Sequence, residues 1–422
     1  MVTMTDKVGI YIHVPFCRSK CYYCDFCSKS GSDEAMIEAY VEAACREIDA
    51  VAANLREERA KGYDNGCENG VLTADLRENG YGAAQNECGA VTEKCGVGKK
   101  ALPIVDTVYF GGGTPTLLTV EQFERLILAV ERNFGIAEGA EITAEANPKT
   151  ADCEKLFGMR SAGVNRLSIG MQSAHDGELR ALGRIHSFAD FEKIFSDARA
   201  AGFDNISADL MYGIPEQTRE SFAFSVRRLA AMNPEHISSY SLTVEEGTNF
   251  YRRRDRLNLP DEDAVAEMYA EMSNILSDHG YNKYEISNFS KIGRESRHNL
   301  KYWKYDDYIG IGPAAHSFFS GVRSSHSRDI EAYIKGEDII DSREMIVGEE
   351  AMSEYVMLAM RLACGVDATD FYKRFGVDFY EKFGEKFKKY APKYLTVDDL
   401  GCRFNDEGFF VSNYILSDVL DF

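Results

Sequence analysis

Cys17, Cys21 and Cys24 stand at C-x3-C-x2-C spacing directly after an apolar run, Val8–Val14. Three thiolates on one short loop can hold three irons of a [4Fe-4S] cluster and leave the fourth iron without a protein ligand. Such clusters are normally held by four cysteines, so a set of three points to a cluster that takes a further ligand. A zinc knuckle is the plainer alternative. Zinc sites usually bring two separated ligand pairs, and no second C-x2-C or H-x3-H pair lies downstream of this stretch.

Gly111, Gly112 and Gly113 follow a second apolar run, Val105–Phe110, and lead into Thr114-Pro115. Glycines there let bare backbone approach a ligand and offer it peptide groups. Tight turns also use glycine, so the triplet gains its weight from the cysteines upstream. A third stretch, Arg297-His-Asn-Leu-Lys-Tyr-Trp303, crowds His298, Asn299, Tyr302 and the sole tryptophan, Trp303, into six residues. An imidazole can ligate haem iron, and aromatic rings can pack on a porphyrin face. A histidine among aromatics is more often a hydrogen-bonded structural residue, and the residues alone leave both readings open.

The run Tyr11-Ile-His-Val-Pro-Phe-Cys17, the three cysteines and Gly111-Gly-Gly-Thr-Pro115 resemble the radical S-adenosylmethionine (SAM) proteins. Among these the chain is similar to the oxygen-independent coproporphyrinogen III oxidase family, and within it to the HemW haem-chaperone branch. The resemblance covers nearly the whole chain apart from residues 57–100. It implies that Cys17, Cys21 and Cys24 hold a [4Fe-4S] cluster whose open iron takes the amine and carboxylate of SAM. An electron from the cluster can then cleave the S–C5′ bond and leave a 5′-deoxyadenosyl radical. That chemistry belongs to the cofactor, and the protein supplies binding and orientation.

The same resemblance implies a SAM pocket of Tyr11, Tyr23, Gly112, Gly113, Thr114, Glu145, Gln172, Arg184 and Asp209, each in a matching local run. Carboxylates can take an ammonium or ribose hydroxyls, and an arginine fork can take a carboxylate. Cys27 extends the cysteine run to C-x3-C-x2-C-x2-C; since a fourth thiolate would exclude SAM, it is read as a neighbour that does not ligate. His13 is expected to support the cluster loop. His316, with the glycines before it, is expected to shape a loop at the pocket. The His-Asn-x-x-Tyr-Trp signature is linked in the HemW branch to haem binding, which would give His298, Asn299, Tyr302 and Trp303 to haem.

Two functions follow from the resemblance. One is a haem chaperone that binds haem and passes it to an acceptor protein, with an electron donor serving the cluster. The other is an oxygen-independent coproporphyrinogen III oxidase, a radical enzyme of porphyrin biosynthesis that decarboxylates propionates. The oxidases carry an arm before the cluster loop, where this chain has 16 residues ahead of Cys17, and they lack the His-Asn-x-x-Tyr-Trp signature. Both points favour the chaperone. A different radical SAM modification stays open.

The elements that must position these residues are legible in the patterning. Val8–Val14, Val105–Phe110, Glu141–Ala144, Arg166–Ile169, Ile206–Leu210 and His236–Leu242 read as six strands. Helix-period stretches lie between them: Glu34–Leu55, Val120–Asn133, Cys153–Ala162, Asp190–Ala201 and Arg219–Met232. Such alternation predicts an α/β fold with a parallel sheet covered by helices. Six units would make a partial (β/α)6 TIM-type barrel, which the radical SAM resemblance also implies, with the site residues at the C-terminal strand ends. Residues 1–250 are expected to form this barrel and 251–340 an extension carrying the His298 segment. Residues 341–422 are expected to form a small C-terminal α+β winged-helix-like domain. In it, helices at 351–362, 368–375 and 379–390 precede strands at 395–397, 402–404 and 409–411. Residues 57–100, rich in glycine and holding Cys67, Cys88 and Cys95, read as an exposed insertion with free thiols.

The 422 residues carry a formal net charge of −20. Such a surface repels nucleic acid and anionic lipid, so neither is an expected partner. No apolar run approaches the ~18 residues of a spanning helix, and the polar start, Met1–Lys7, lacks a signal peptide's apolar core. Eleven scattered cysteines favour a reducing cytoplasm, with any membrane contact made through a partner.

Overall fold

Six strands that alternate with helices along the chain pair side by side in chain order. In the computed structural model, which describes residues 6–64 and 102–420, these are β1 (Lys7–Val14), β2 (Ile104–Gly112), β3 (Ile136–Ala146), β4 (Arg166–Gln172), β5 (Ile206–Tyr212) and β6 (His236–Ser241). Each lies parallel to the one before it. All seven residues of β4 are buried, as expected for a parallel strand covered on both faces.

The covering helices are α1 (Glu34–Asp64), α2 (Val120–Phe134), α3 (Cys153–Ser161), α4 (Phe188–Ala200) and α5 (Arg219–Met232), with α6 (Glu262–Asp278) packed against α5. The physical cause is clearest in α2. Thr119 and Gln122 form a reciprocal capping box at its start, and Phe123, Leu126, Ile127 and Val130 are buried at i, i+3, i+4 and i+7. Tyr40, Val41, Ala44 and Ile48 of α1 join the same core. Residues 57–64, read from the sequence as the start of an insertion, continue α1; the rest of that segment, with Cys67, Cys88 and Cys95, lies outside the described residues.

The sheet does not close. Beyond β6 it continues antiparallel into β7 (Asn288–Ser290) and then Asn282–Lys283. Beyond β1 it gains β8 (Tyr308–Ile311), parallel to β1, and then antiparallel β9 (His316–Phe319), β10 (Val322–His326) and β11 (Ile340–Met345). The sequence patterning missed β8–β11. They are short, and all six residues of β11 are exposed.

A second apolar cluster spans residues 352–420 around Phe371, Phe379, Phe383 and Phe387. It contains α8 (Gly348–Ala359), α9 (Ala368–Phe375) and the antiparallel hairpin of β12 (Leu395–Asp398) and β13 (Gly401–Phe404). The strand expected over 409–411 is instead part of a helix, Asp406–Phe410. Asn405 starts it by accepting the Gly408 N–H at 2.8 Å, so a cap overrides the strand preference of the Phe-Phe-Val run. This α+β unit is tied to the barrel by Ile286 N–H donating to the Arg361 carbonyl and Ala363 N–H to that of Tyr284.

Candidate functional site

The C-terminal ends of β2–β6 open onto one cavity of about 530 Å³, within the usual size of a cofactor site. Cys17, Cys21 and Cys24 line it. So do eight of the nine residues expected to hold SAM: Tyr23, Gly112, Gly113, Thr114, Glu145, Gln172, Arg184 and Asp209. Tyr11 does not. Of the residues expected to hold haem, Asn299 lines this cavity; His298, Tyr302 and Trp303 do not.

The cysteine loop is pinned from several sides. His13 Nε2 donates to the Cys27 carbonyl at 2.8 Å, and the Tyr11 hydroxyl donates to His13 Nδ1 at 3.0 Å, which sets the imidazole tautomer. Tyr11 therefore acts on the loop through His13. The Tyr22 N–H donates to the Leu182 carbonyl, and the Tyr22 carbonyl accepts from Phe250. Polar groups reach the sulfurs themselves. The Thr114 hydroxyl donates to Cys17 Sγ and Arg184 Nη1 to Cys21 Sγ, each at 3.5 Å.

Asn147 joins these two contacts. Its Nδ2 donates to Thr114 Oγ1 at 2.9 Å, and its Oδ1 accepts from Arg184 Nη2. Sequence reasoning passed over Asn147, although it follows Glu145 by two residues at the same strand end. Cys27 is buried, does not line the cavity, and donates to the Arg328 carbonyl at 3.5 Å.

Among the described residues, no group of three or more His, Cys, Asp or Glu side chains converges on a single metal ion. The three thiols line the one cavity. A zinc ion needs its ligands on one centre, whereas a four-iron cluster takes each thiolate at a different iron. Burial pushes the Cys24 thiol up to about 11. Its ionisation is then costly until a metal takes the sulfur.

Two glycines explain how the second apolar run meets the loop. A Cβ on Gly113 would lie 2.5 Å from the Phe16 carbonyl oxygen and 2.7 Å from that of Val14. Gly112, at φ +101°, packs against the His13 ring. The missing side chains thus let the glycine loop dock on the cysteine loop, with the Gly113 and Thr114 N–H groups donating to Val14 and Phe16. Gln172, at the end of β4, holds φ +67° without being glycine. Such strain collects at functional sites.

The carboxylates face each other across the strand ends. Glu145 accepts the Tyr109 hydroxyl at 3.0 Å on one oxygen and the Gly112 N–H at 3.2 Å on the other. Burial, and then the charge of Asp209, raise its pKa to about 7. Asp209 is also raised by burial, against the pull of Ser168, Ser238 and two arginines.

His298 sits behind this wall on α7 (Arg297–Trp303), with no solvent exposure. Nδ1 is bonded to Thr107 Oγ1 at 2.8 Å and Nε2 to the Tyr302 hydroxyl at 2.9 Å. Burial lowers its pKa to about 3, so the ring is neutral. Beside it, Lys301 and Asp106 form a buried ion pair at 2.7 Å. His316, expected near the pocket, is exposed at the start of β9 and lines no part of the cavity. That position follows from β8–β11, which carry the chain out to the sheet edge.

Residues 90–229 match the Radical SAM superfamily and 347–411 the HemN C-terminal domain. The chain is 34% identical to the heme chaperone HemW of Bacillus subtilis, with 91% of each chain covered. It is 31% identical to the heme chaperone HemW of Escherichia coli, with 92% of each covered. Among solved structures, the coproporphyrinogen III oxidase HemN of Escherichia coli, a radical SAM enzyme, superposes with a TM-score of 0.75. Their identity is 21%, over 98% of this chain and 90% of that one; the likeness is one of fold.

Proposed function

The chain belongs to the heme chaperone HemW family of the radical SAM superfamily, and on that premise we propose that it binds haem and passes it to an acceptor protein while carrying a [4Fe-4S] cluster and SAM. The observation that carries this reading is the extent of the likeness: about a third of residues identical across nine-tenths of both chains. The cavity residues fit the two resident groups. Three separate thiols suit a cluster, and the cavity is large enough for a ligand beside it. When bound, the pair supplies one-electron chemistry at the sulfonium.

In this reading Cys17, Cys21 and Cys24 hold the cluster. Thr114 and Arg184 steady two of the sulfurs, and Asn147 keeps those two donors in register. Glu145 and Asp209 take donors of SAM, the Gly112–Gly113 backbone and Gln172 border it, and Tyr23 closes the side next to Cys21. Haem falls to the segment of His298, Asn299, Tyr302 and Trp303. For His298 to reach iron, its contact with Thr107 or with the Tyr302 hydroxyl must be given up. The proposed setting is cytoplasmic; among the described residues no helix is long and apolar enough to cross a membrane. The division at residue 250 is proposed as a domain boundary; the second, expected at 340, is proposed to follow β11, which carries the large sheet to Met345.

The test adds haem to the purified protein and, separately, assays coproporphyrinogen III decarboxylation under anaerobic reducing conditions. Haem uptake without decarboxylation is expected. Turnover of coproporphyrinogen would overturn the chaperone reading.

A further inference from the structure

The helix α7 is tied to haem by its sequence, yet its neighbours belong to the SAM cavity. Asn299 lines the cavity wall. The His298 ring stacks on Tyr109, with centroids 5.3 Å apart and planes 29° off parallel. Tyr109 lines the cavity too, and its hydroxyl donates to Glu145, whose other oxygen receives the Gly112 N–H. An unbroken line of contacts therefore runs from α7 through Tyr109 and Glu145 to the glycine loop. The imidazole is held at both nitrogens, by Thr107 on β2 and Tyr302 on α7. A ring fixed in this way can set the plane and position of the phenol lying on it.

We infer that α7 is the back wall of the SAM site: Asn299 contacts the cofactor, and His298 is a positioning residue that acts through Tyr109 and Glu145. This deepens the reading above and rests on its claim that the cavity takes SAM. It does not rest on haem binding. A side chain that presents an acceptor to a cationic ligand must be aimed before the ligand arrives, because each donor left unpaired or misdirected in a buried site weakens binding. Glu145 has Tyr109 as its side-chain donor, and Tyr109 has His298 against its face.

The experiment uses the cluster-loaded protein under anaerobic conditions. SAM binding is read from the change in the cluster's electron paramagnetic resonance spectrum across a SAM titration, which needs no turnover. Asn299→Ala and Tyr109→Phe are expected to weaken SAM binding about tenfold at unchanged cluster content, the size of one hydrogen bond to a charged group. His298→Ala is expected to weaken it as well, and His298→Gln, whose amide can keep both ring contacts, to recover part of the loss. Should His298→Ala fail to fold, Tyr109→Phe decides, since it removes a hydroxyl and keeps the ring. Full SAM affinity in both Asn299→Ala and Tyr109→Phe overturns the assignment while leaving the SAM site intact. An unsubstituted protein whose cluster ignores SAM overturns the reading beneath it. Loss of haem uptake in His298→Ala at wild-type SAM affinity would give His298 to haem alone, and that also overturns the positioning role.

Discussion

Cys17, Cys21 and Cys24 stand half-buried on the wall of an open cavity, and the groups that reach Cys17 and Cys21 do so at 3.5 Å. A few residues behind that wall, His298 has no exposure and both ring nitrogens bonded at under 3 Å. Both regions carry residue types that bind metals. They differ in surroundings: the thiols line an open cavity, and the imidazole has spent its donor and its acceptor on the protein. Ligating ability thus depends on what each side chain already holds, which residue type and spacing do not record.

The comparison breaks most visibly at the thiols. Serine at Cys17, Cys21 or Cys24 is expected to abolish the four-iron absorption and iron content after anaerobic reconstitution. Cys27→Ser, whose sulfur lies outside the cavity, is expected to keep them. Loss of the cluster in Cys27→Ser alone would reverse the assignment. On the sealed side the readout is stability. Lys301→Met strands the buried Asp106 carboxylate and is expected to cost about 3 kcal/mol in urea unfolding. A cost below about 1 kcal/mol would mean the pair is not held as described.

The junction between the two regions gives a smaller effect. Gly113→Ala places a methyl against the Val14 and Phe16 carbonyls and is expected to cost about 2 kcal/mol, with reduced cluster loading. Unchanged loading would show that the two loops can separate freely. The smallest effect is electrostatic. Burial raises Glu145 from 4.5 to about 7, so its share of stability is complete below about pH 4.5 and is lost as pH rises through about 7. A cationic ligand favours the ionised form. SAM affinity is therefore expected to rise by up to about tenfold from pH 6 to pH 8, and Glu145→Gln to flatten that rise. Tyr109 and Asp209 face the same carboxylate; burial holds the Tyr109 phenol well above its usual value and raises Asp209 as well, so the Glu145→Gln variant is what assigns the slope. An unchanged slope in Glu145→Gln would remove Glu145 from SAM binding.

Much of the barrel was legible because its strands are buried on both faces and read as continuous apolar runs; β1, β2 and β4 are the clearest cases. The cavity was legible for the same reason, since strand ends carry its polar residues to one place. The strands β8–β11 were not, because β8 and β9 are only four residues long and the edge strand Ile340–Met345 has no apolar face to alternate. The helix at Asp406–Phe410 was hidden behind an aromatic run whose cap outweighed its strand preference. At the site, Asn147 lacked a motif of its own, and its role emerges only where Thr114 and Arg184 meet it. The seclusion of His298 could not be read from its aromatic neighbours, which suit a porphyrin face as well as a packed interior.

The central claim is an iron left open for SAM beside three protein thiolates. Reconstituting the cluster without oxygen and recording its resonance spectrum before and after SAM is added tests it directly. A four-iron signal that shifts on addition is predicted; no such signal, or one that SAM leaves unchanged, would contradict the account.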